Sequence, residues 1–316
     1  MSLTLAHESL TAAAALRAAV DLGFVDRLLA EPVTPADLAV ACGTSQRGTR
    51  ALLAVLEAYG LVDPCEDGRF LGTRGASVLR ATIAWNDELA EVVRTGQPLR
   101  DWDTVAVAGS IYPELASVLG QVFVAAAARA ADHLGPLGAA RVLDVAAGGA
   151  PWSLGLAERN PEIEVTAVDL PAVIARTRRI VTERGAVGRY RFLAGDVFTV
   201  DLAGTYDVVV VGNLCHLFDA RTNLRLLRRL REVVAPHGRL AVVDVMSVTD
   251  GRRPRAVAVY EMGLIVRTRR GAAHPFTAYV DWLTSSGYRG LQRVELDAST
   301  CLSLVVAELD HHDEGC

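Results

Sequence analysis

The stretch RVLDVAAGGAP, residues 141–151, decides the fold of this 316-residue chain. Its first half is a short apolar run interrupted by one acid, Asp144, as in a buried strand. Small residues follow from Ala146 to Ala150, and Pro151 then takes the first position of a helix, where its missing N–H costs nothing. The stretch therefore predicts a buried strand, a tight turn that a ligand can approach closely, and a helix N-terminus.

An acid at the end of the next strand adds a second feature. Residues 164–170 (EVTAVDL) are an apolar strand with Asp169 near its carboxyl end. An acid at that place can accept hydrogen bonds from both ribose hydroxyls of a nucleoside. The turn reads D-x-A-x-G-x-A from Asp144, whereas a pyrophosphate site would carry G-x-G-x-x-G. An ordinary strand–helix turn without a ligand is the alternative, but the order of elements favours a nucleoside site without phosphate.

The second half of the chain alternates strands with helices. Strands are predicted at 141–146, 164–170, 190–195, 206–212 and 238–245, and helices at 152–159, 171–185 and 221–234. This alternation indicates an α/β fold with a Rossmann-like, mostly parallel sheet covered by helices on both faces. Two late strands, near 291–296 and 301–309, lie close together in the sequence. We expect them to form an antiparallel pair at one edge of that sheet.

The N-terminal region has the pattern of a winged helix. Helices are predicted over 9–31, from a Thr34 cap to about Gly43, and from a Ser45 cap to Gly60, followed by a hairpin over 61–71. Winged helices often bind DNA. Here the wing is acidic and the net charge of the chain is −5, which argues against a nucleic-acid partner. A protein–protein or dimerisation module is the favoured interpretation.

Composition narrows the remaining classes. No apolar run is long enough to span a bilayer, and the N-terminus lacks the layout of a signal peptide, so we expect a cytoplasmic protein without a membrane partner. Five cysteines without paired spacing argue against disulfides and against a metal site. The tail His311-His312-Asp313 could bind a metal, although a disordered end is the favoured alternative. Helices over 81–134, broken at 96–98 and rich in alanine, predict an interface of a homodimer.

Polar side chains follow the later strands at the same predicted edge of the sheet. Asp196 can accept a hydrogen bond from an adenine amino group, and Phe198 can cover the adenine ring. His216 follows the fourth strand, and Asp244 ends the fifth. A lone histidine is usually structural. A histidine beside a nucleoside site, with an acid on the neighbouring strand end to hold its tautomer, is a candidate general base.

Taken together, these motifs resemble the S-adenosylmethionine-dependent small-molecule O-methyltransferases. That family is typified by plant caffeate-type enzymes and by bacterial enzymes that tailor polyketides and other secondary metabolites. The shared features are the VLDV strand at 142–145, the acids at 169 and 196, and the stretch CHLFDA at 215–220, which is similar to the family's H-x-[WF]-x-D. The resemblance implies methyl transfer from S-adenosylmethionine to a hydroxyl of a small aromatic or polyketide-like molecule, as in antibiotic biosynthesis. It makes His216 the base and Asp244 its orienting acid.

The resemblance also implies a division of the chain and a set of contacts. Residues 1–100 would be a winged-helix dimerisation domain, 101–135 a helical connector that contributes to the substrate pocket and the dimer, and 136–316 the catalytic domain. Cofactor contacts fall on Asp144, Ala146, Gly148, Asp169, Leu170, Asp196, Val197, Phe198, Gly212 and Asn213. Substrate contacts are expected from Tyr112, Tyr260, Met262, Leu264, His274 and Phe276, with plain core packing as the alternative.

Four positions depart from the family pattern. Ala150 stands where the turn usually ends in glycine, Gly212 offers only its backbone, and Asp219 comes one position before the expected acid. The family's second acid, near a G-x-E-R-T motif, is missing, and Ala273 stands at about that point. His216 could act with Asp244 alone, or His274 could take part. The missing second acid motivates an alternative in which the chain binds the cofactor but carries out non-methylating chemistry, such as a pericyclic, decarboxylation or hydroxylation reaction. The sequence also does not separate methylation of nitrogen or carbon from methylation of oxygen.

Overall fold

The chain forms two compact units, Met1–Ala90 and Glu91–Cys316. A computed structural model describes residues 2–98, 101–102, 104–247 and 254–309. The tail His311-His312-Asp313, considered above as a metal ligand, lies outside the described residues. The predicted division at residues 100 and 135 stays a prediction.

The first unit consists of helices and one small hairpin. Its elements are α1 (Ser2–Asp21), α2 (Phe24–Ala30), α3 (Pro35–Ala41), α4 (Gln46–Ala58), β1 (Val62–Pro64), β2 (Phe70–Gly72) and α5 (Arg74–Asp87). The strands β1 and β2 pair antiparallel, as predicted for the wing. The single helix predicted over 9–31 is wrong, because Gly23 adopts a left-handed conformation, with φ of 76°, and separates α1 from α2.

Side-chain caps begin two of these helices at the predicted places. The Thr34 Oγ1 accepts a hydrogen bond from the Asp37 N–H at 3.1 Å, and the Ser45 Oγ accepts one from the Gly48 N–H at 3.1 Å. The unit has its own hydrophobic core, formed by Ala19, Phe24, Val25, Leu28, Leu38, Leu53, Leu56, Val62, Ala76 and Leu79. These caps and this core account for the local order of the N-terminal helices.

The second unit consists of a seven-stranded sheet and the helices around it. The helices are α6 (Leu89–Thr95), α7 (Val105–Val122), α8 (Val124–Leu134), α9 (Pro151–Arg159), α10 (Pro171–Glu183), α11 (Ala220–Arg231), α12 (Arg255–Arg267) and α13 (Phe276–Ser285). The strands are β3 (Arg141–Val145), β4 (Glu164–Asp169), β5 (Tyr190–Ala194), β6 (Tyr206–Gly212), β7 (Val234–Val245), β8 (Tyr288–Asp297) and β9 (Leu302–Leu309).

The order of the strands is β5-β4-β3-β6-β7-β9-β8. The strands from β5 to β7 pair parallel, and β9 pairs antiparallel with both β7 and β8. This confirms the predicted α/β fold and the antiparallel pair at one edge. Because β3 and β6 are neighbours while β4 lies on the other side of β3, the strand order reverses here, and ligands of such sheets bind beside that reversal.

Side chains of the central strands alternate between two cores. In β6, Val208 and Val210 pack into one cluster with α8 and α9, whereas Val209 and Val211 pack into the other with α11 and α13. All four side chains are nearly inaccessible to solvent. The continuous valine run therefore reflects burial on both faces of the sheet. Across the part of the chain that the structure describes, none of the helices has the length and apolar character needed to cross a bilayer.

Candidate active site

The carboxyl ends of β3, β4, β5 and β6 surround one cavity in the second unit. The empty volume of this cavity, including the solvent-open space at its mouth, is about 1110 Å³. The sheet side is lined by Ala146, Ala147, Gly148, Gly149, Pro151, Trp152, Val168, Asp169, Leu170, Val173, Gly195, Asp196, Val197, Phe198, Gly212, Asn213, Leu214, Leu217 and Phe218. The opposite side is lined by Trp102, Val105, Ala108, Tyr112, Ala116, Leu119, Gly120 and Phe123. This cavity has the largely apolar wall, with a few polar groups, of a small-molecule site.

The turn after β3 is held open toward the cavity by unusual backbone conformations. Ala146, Gly148 and Ala150 all have φ near 54°, in the left-handed region. For alanine this conformation costs roughly 1–2 kcal/mol, and such strain persists where the surroundings impose it. Thr177 of α10 donates its hydroxyl hydrogen bond to the Gly148 carbonyl at 2.7 Å and so fixes the turn from outside.

Asp169 closes the turn from the neighbouring strand. Its Oδ2 accepts the Gly148 N–H at 2.8 Å, and its Oδ1 accepts the Leu170 N–H at 2.7 Å. Burial raises the pKa of Asp169 to about 6, although the two backbone amides act in the opposite direction. The carboxylate lines the cavity at the place predicted for a ribose contact. Because its pKa is about 6, the charge of this carboxylate changes with pH just below neutrality.

Asp144 lies beneath the turn and does not line the cavity. It is fully buried, and the Ser153 hydroxyl donates to it, while the Tyr190 hydroxyl lies 3.1 Å from the Ser153 Oγ. Burial, with a smaller contribution from the nearby Asp169 charge, raises the pKa of Asp144 to about 7, although the hydrogen bond from Ser153 acts in the opposite direction. In this structure Asp144 belongs to a buried polar network that ties β3 to α9, and its predicted contact with a cofactor stays a prediction.

Gly212 ends β6, Asn213 follows it, and both line the cavity. A Cβ added to Gly212 would lie 2.1 Å from the Trp152 Nε1, so only glycine fits beneath the indole. Asn213 has φ of 55°, and its N–H donates to the Val243 carbonyl at 2.8 Å. Its Oδ1 is buried, and no hydrogen-bond donor of the described residues reaches it. An unpartnered acceptor in the wall of a cavity is suited to a ligand donor.

The predicted adenine end of the site is aromatic. Asp196, Val197 and Phe198 line the cavity after β5, and the Asp196 Oδ1 accepts the Phe198 N–H at 2.9 Å. Phe198 meets Phe218 edge to face at 5.4 Å, and the Arg225 guanidinium lies 4.4 Å from the centroid of the Phe198 ring. This end therefore offers a carboxylate beside a flat aromatic surface, as an adenine requires.

Helix α7 packs directly on the glycine turn. A Cβ added to Gly149 would lie 2.2 Å from the Ala116 carbonyl oxygen and 2.9 Å from the Gly120 Cα. Phe123, at the end of α7, packs on Trp152 with 5.5 Å between the ring centroids. The helix therefore covers the cavity on the side of the glycine turn, and its close approach depends on the absence of a side chain at residue 149.

His216 and Asp244 meet as the strand order predicts. The His216 Nδ1 lies 2.7 Å from the Asp244 Oδ1, and the His216 backbone N–H donates to the Asp244 Oδ2 at 3.0 Å. The Val245 N–H also donates to Oδ1, at 2.9 Å. Both side chains are buried, with exposed fractions of 4% for His216 and 0% for Asp244. A carboxylate with these partners favours the imidazole tautomer that carries hydrogen on Nδ1, which leaves Nε2 as an acceptor.

The predicted substrate residues lie in different surroundings. Tyr112 lines the cavity, and Tyr260 meets the His216 ring edge to face at 5.4 Å. The His274 Nε2 lies 2.8 Å from the Phe218 carbonyl oxygen. Three further candidates lie away from the cavity lining: Met262 is 43% exposed, Leu264 is fully buried, and Phe276 packs under the Arg293 guanidinium. Tyr260 and His274 are not part of the lining either, so the structure brings Tyr112 alone of these six predicted residues to the cavity wall, and the substrate contacts of the set stay a prediction.

The structure shows the surroundings of two residues that depart from the family pattern, Asp219 and Ala273. Asp219 is the N-cap of α11: its Oδ1 accepts the Thr222 N–H at 2.9 Å, and its Oδ2 accepts from Arg270 at 2.9 Å. Its carboxylate is therefore used in capping and ion pairing. Ala273 is buried, with an exposed fraction of 3%, and it supplies no polar group at the position of the missing acid.

Sequence reasoning missed Trp152 and the residues of α7 beyond Tyr112 as parts of the site. Trp152 follows Pro151 and lines the cavity. The one feature of the sequence that could have indicated this role is the position of an aromatic residue at the start of the helix that follows the turn. Ala116, Leu119 and Gly120 line it from α7. Nothing in the local sequence shows that this helix packs over the turn, because their contact joins distant parts of the chain.

A mostly parallel sheet with β9 antiparallel, an acid at the end of β4 and a turn without the pyrophosphate pattern are features of Rossmann-like α/β proteins that bind a nucleoside. Residues 115–289 match the O-methyltransferase domain family, and residues 5–82 match the O-methyltransferase dimerisation domain. The chain therefore belongs to the S-adenosylmethionine-dependent O-methyltransferases, and it is a methyltransferase by family. S-adenosylmethionine is the cofactor of this family, as the motifs predicted.

Relatives and solved structures cover most of the chain. A 3-hydroxy-5-methyl-1-naphthoate 3-O-methyltransferase from Streptomyces sahachiroi is 25% identical over 293 residues, which are 86% of this chain and 84% of the relative. An aclacinomycin 10-hydroxylase from Streptomyces purpurascens is 27% identical over 263 residues, which are 74% of this chain and 70% of that protein. Human N-acetylserotonin methyltransferase, solved with its cofactor, has the same fold, with a TM-score of 0.75, 20% identity and coverage of 98% and 97%.

Proposed function

We propose that this chain methylates a hydroxyl of a small aromatic or polyketide-like secondary metabolite, with His216 as general base. The observation that carries the proposal is the buried pair in which Asp244 holds the His216 Nδ1 at 2.7 Å. His216 follows β6 between Leu214 and Leu217, which line the cavity that a nucleoside would occupy, and Asp244 is the second-last residue of β7. The naphthoate O-methyltransferase among the relatives agrees with this acceptor class.

The residues of the cavity fit S-adenosylmethionine. Asp169 presents an acceptor for ribose hydroxyls, and Asp196 with Phe198 presents an acceptor and an aromatic face for adenine. The buried Asn213 Oδ1 accepts no hydrogen bond from the described residues, and an amino group of the cofactor could donate one to it. When bound, the cofactor supplies an activated methyl group on a sulfonium. The protein contributes alignment of the acceptor oxygen, which accounts for much of the acceleration in such transfers.

His216 would hold the proton that the acceptor loses. The neutral imidazole has its Nδ1–H directed to Asp244, so Nε2 can take the hydroxyl proton as the oxygen forms its new bond to carbon. The Asp244 carboxylate holds the imidazole in this orientation and stabilises the imidazolium that results. Its other contacts, from two backbone N–H groups, prevent the carboxylate from turning away. The proton then leaves to solvent with the product.

The substitution His216→Ala tests this role. Affinity for S-adenosylhomocysteine should stay within about twofold of the wild type, because the predicted cofactor contacts lie elsewhere. Turnover on an accepted phenol should fall roughly 10²-fold or more, since a positioned base contributes roughly 10²–10⁴-fold. His133→Ala, which changes an exposed histidine of α8, is the matched control. Full activity of His216→Ala at neutral pH would overturn the proposed base.

A second candidate function rests on Ala273. Ala273 is buried and supplies no carboxylate where the family pattern has a second acid that acts with the base. In addition, one of the relatives is a hydroxylase. The chain would then bind the cofactor without methylating oxygen, or would methylate carbon or nitrogen. Mass spectrometry of the product before and after cleavage of phenol methyl ethers separates these outcomes. An O-methyl group is added by the enzyme and lost on cleavage, a C- or N-methyl group is added and survives, and non-methylating chemistry adds no methyl group.

We also propose that the protein is a homodimer. Residues 5–82 match the dimerisation domain of the family, and the helices α1 to α4 with the β1–β2 hairpin have the order predicted for such a module. The small molecule and a second copy of the chain are then its two kinds of partner.

A further inference from the structure

The chain segment that joins α12 to α13 lies along the turn that carries His216. The Ala272 N–H donates to the His216 carbonyl at 2.9 Å, and the His274 Nε2 lies 2.8 Å from the Phe218 carbonyl oxygen. A Cβ added to Gly271 would lie 2.7 Å from the His216 carbonyl oxygen, so a side chain there would push the segment away from the turn. The segment therefore contacts two carbonyl groups of the turn that lie two residues apart.

The His274 imidazole is fixed as a hydrogen-bond donor. A carbonyl oxygen can only accept, so the hydrogen lies on Nε2 and is directed to Phe218. Burial lowers the pKa of His274, although the Phe218 carbonyl and the charge of Asp244 act in the opposite direction, so the ring is neutral near neutrality. The ring packs edge to face on Trp282 and Tyr279 of α13, with centroid distances of 4.8 Å and 6.4 Å. These contacts hold the imidazole in the orientation that reaches the Phe218 carbonyl.

A second side chain, Asn223 of α11, holds the same turn. It is fully buried, and its Nδ2 donates to the Cys215 carbonyl at 3.0 Å and to the Phe218 carbonyl at 3.2 Å. A backbone carbonyl has two lone pairs, so the Phe218 carbonyl can accept from Asn223 and His274 together. The backbone of the turn is thus fixed on both sides of His216.

The position of this backbone decides where His216 points. Asp244 accepts from the His216 Nδ1 at 2.7 Å and from the His216 backbone N–H at 3.0 Å. Both contacts depend on the turn, because a shift of its backbone would lengthen them and redirect Nε2. A base must lie within hydrogen-bond distance of the proton that it takes, and a misplacement of about 1 Å can cost roughly 10²-fold in rate.

We infer that His274 is a positioning residue for the proposed base: its hydrogen bond to the Phe218 carbonyl holds the turn so that the His216 Nε2 faces the acceptor hydroxyl. The inference rests on the proposed function, because His216 is the base in both. His274 is not part of the cavity lining, so it acts through Phe218 and not by contact with the acceptor. It follows Ala273, where the family's second acid is missing, and it supports the base through the backbone with a neutral imidazole.

Two replacements of His274 separate its hydrogen bond from the volume of its ring. His274→Gln places an amide N–H at about the distance of Nε2 along the side chain, whereas His274→Leu fills similar space without a donor. The assay uses the best acceptor among phenol, catechol and alizarin. His274→Leu should lower kcat roughly tenfold or more, and His274→Gln should restore most of it. Affinity for S-adenosylhomocysteine should stay at the wild-type value in both.

A wild-type kcat in His274→Leu, or an equal loss in the Leu and Gln variants, would overturn the inference. If His274→Leu does not fold, His274→Asn takes its place, because its shorter amide does not reach the Phe218 carbonyl. The comparison of Asn with Gln then varies the reach of the donor while the chemical group stays the same.

A double-mutant cycle with His216→Ala tests whether His274 acts through the base. When the base is absent its orientation no longer matters, so His274→Leu should have no further effect on kcat in the His216→Ala protein. A purely structural defect would lower kcat by the same factor in both backgrounds. That result would contradict a role of His274 in positioning His216.

Histidine NMR of the complex with S-adenosylhomocysteine reports on the base without turnover. The His216 Nδ1–H should give a downfield proton signal, since a hydrogen bond to a carboxylate is short, and His216→Ala identifies this signal by its loss. His274→Leu should broaden the signal or move it upfield, and His274→Gln should restore it. His133→Leu, which changes an exposed histidine of α8, is the matched control and should leave the signal unchanged.

The NMR signal also separates this inference from the proposed function. A signal that stays unchanged in His274→Leu contradicts the positioning of His216 by His274. If the signal responds as expected but none of the phenols is methylated by the wild type, the proposed function fails and the positioning of His216 stands.

Discussion

Asp169 makes binding of the cofactor sensitive to pH. Burial raises its pKa to about 6, from an ordinary value of 3.8, and its ionised form is the better acceptor for two ribose hydroxyls. Affinity for S-adenosylhomocysteine should therefore rise as pH increases through about 6 and level off above it. Below that value it should fall by up to about tenfold per pH unit, as linkage to one proton requires.

Calorimetry between pH 5 and pH 8 measures this dependence. Asp169→Asn should bind weakly and without the step near pH 6. Asp144, whose pKa burial raises to about 7, is the other buried carboxylate nearby, and Asp144→Asn separates its contribution. A wild-type affinity that stays constant across this range would contradict the role of the Asp169 charge.

At the scale of elements, the packing of α7 on the turn decides the shape of the cavity. The two facing glycines, Gly149 in the turn and Gly120 in α7, differ in what a methyl group would meet. At Gly149 the added Cβ would lie 2.2 Å from the Ala116 carbonyl oxygen, whereas at Gly120 the nearest atom would lie at 3.4 Å, an ordinary contact. The same change thus forces movement of the backbone at one residue and not at the other.

Gly149→Ala should therefore lower the free energy of unfolding by about 1–3 kcal/mol, the usual cost of overpacking, and weaken binding of S-adenosylhomocysteine. Gly120→Ala should be neutral or stabilising, because alanine favours a helix interior by about 1 kcal/mol over glycine. Thermal unfolding and calorimetry of the two variants test the pair. The role of this contact would be refuted by a Gly149→Ala protein with the stability and affinity of the wild type.

At the scale of the whole molecule, the N-terminal unit predicts the oligomeric state. The dimerisation match over residues 5–82 and the exposed apolar side chains of this unit, among them Leu10 at 71% and Val40 at 81%, favour a covered surface in solution. Light scattering at micromolar concentration should give the mass of two chains, since obligate interfaces bury roughly 2,000–5,000 Å² or more. A monomer at that concentration would rule out the proposed homodimer.

The sequence alone determined the α/β fold, the place of the turn and the edge where its polar residues gather. These follow from local rules: alternation of strands and helices, a proline at a helix start, and acids at strand ends. Asp169, Asp196, His216 and Asp244 could be named because the carboxyl ends of parallel strands meet at one edge. Their pairing needs no knowledge of side-chain packing beyond that rule.

Tertiary structure alone decided which distant side chains share the site. Trp152 lies against Gly212, α7 covers Gly149, and His274 reaches the turn that carries His216. These contacts join segments that are far apart in the chain, and they depend on volumes and angles that no sequence period encodes. The place of Asp144 is decided in the same way. Alternation along β3 puts its side chain on one of two faces, and the packing of α9 then brings Ser153 to its carboxylate, so Asp144 lies under the turn and not in the cavity.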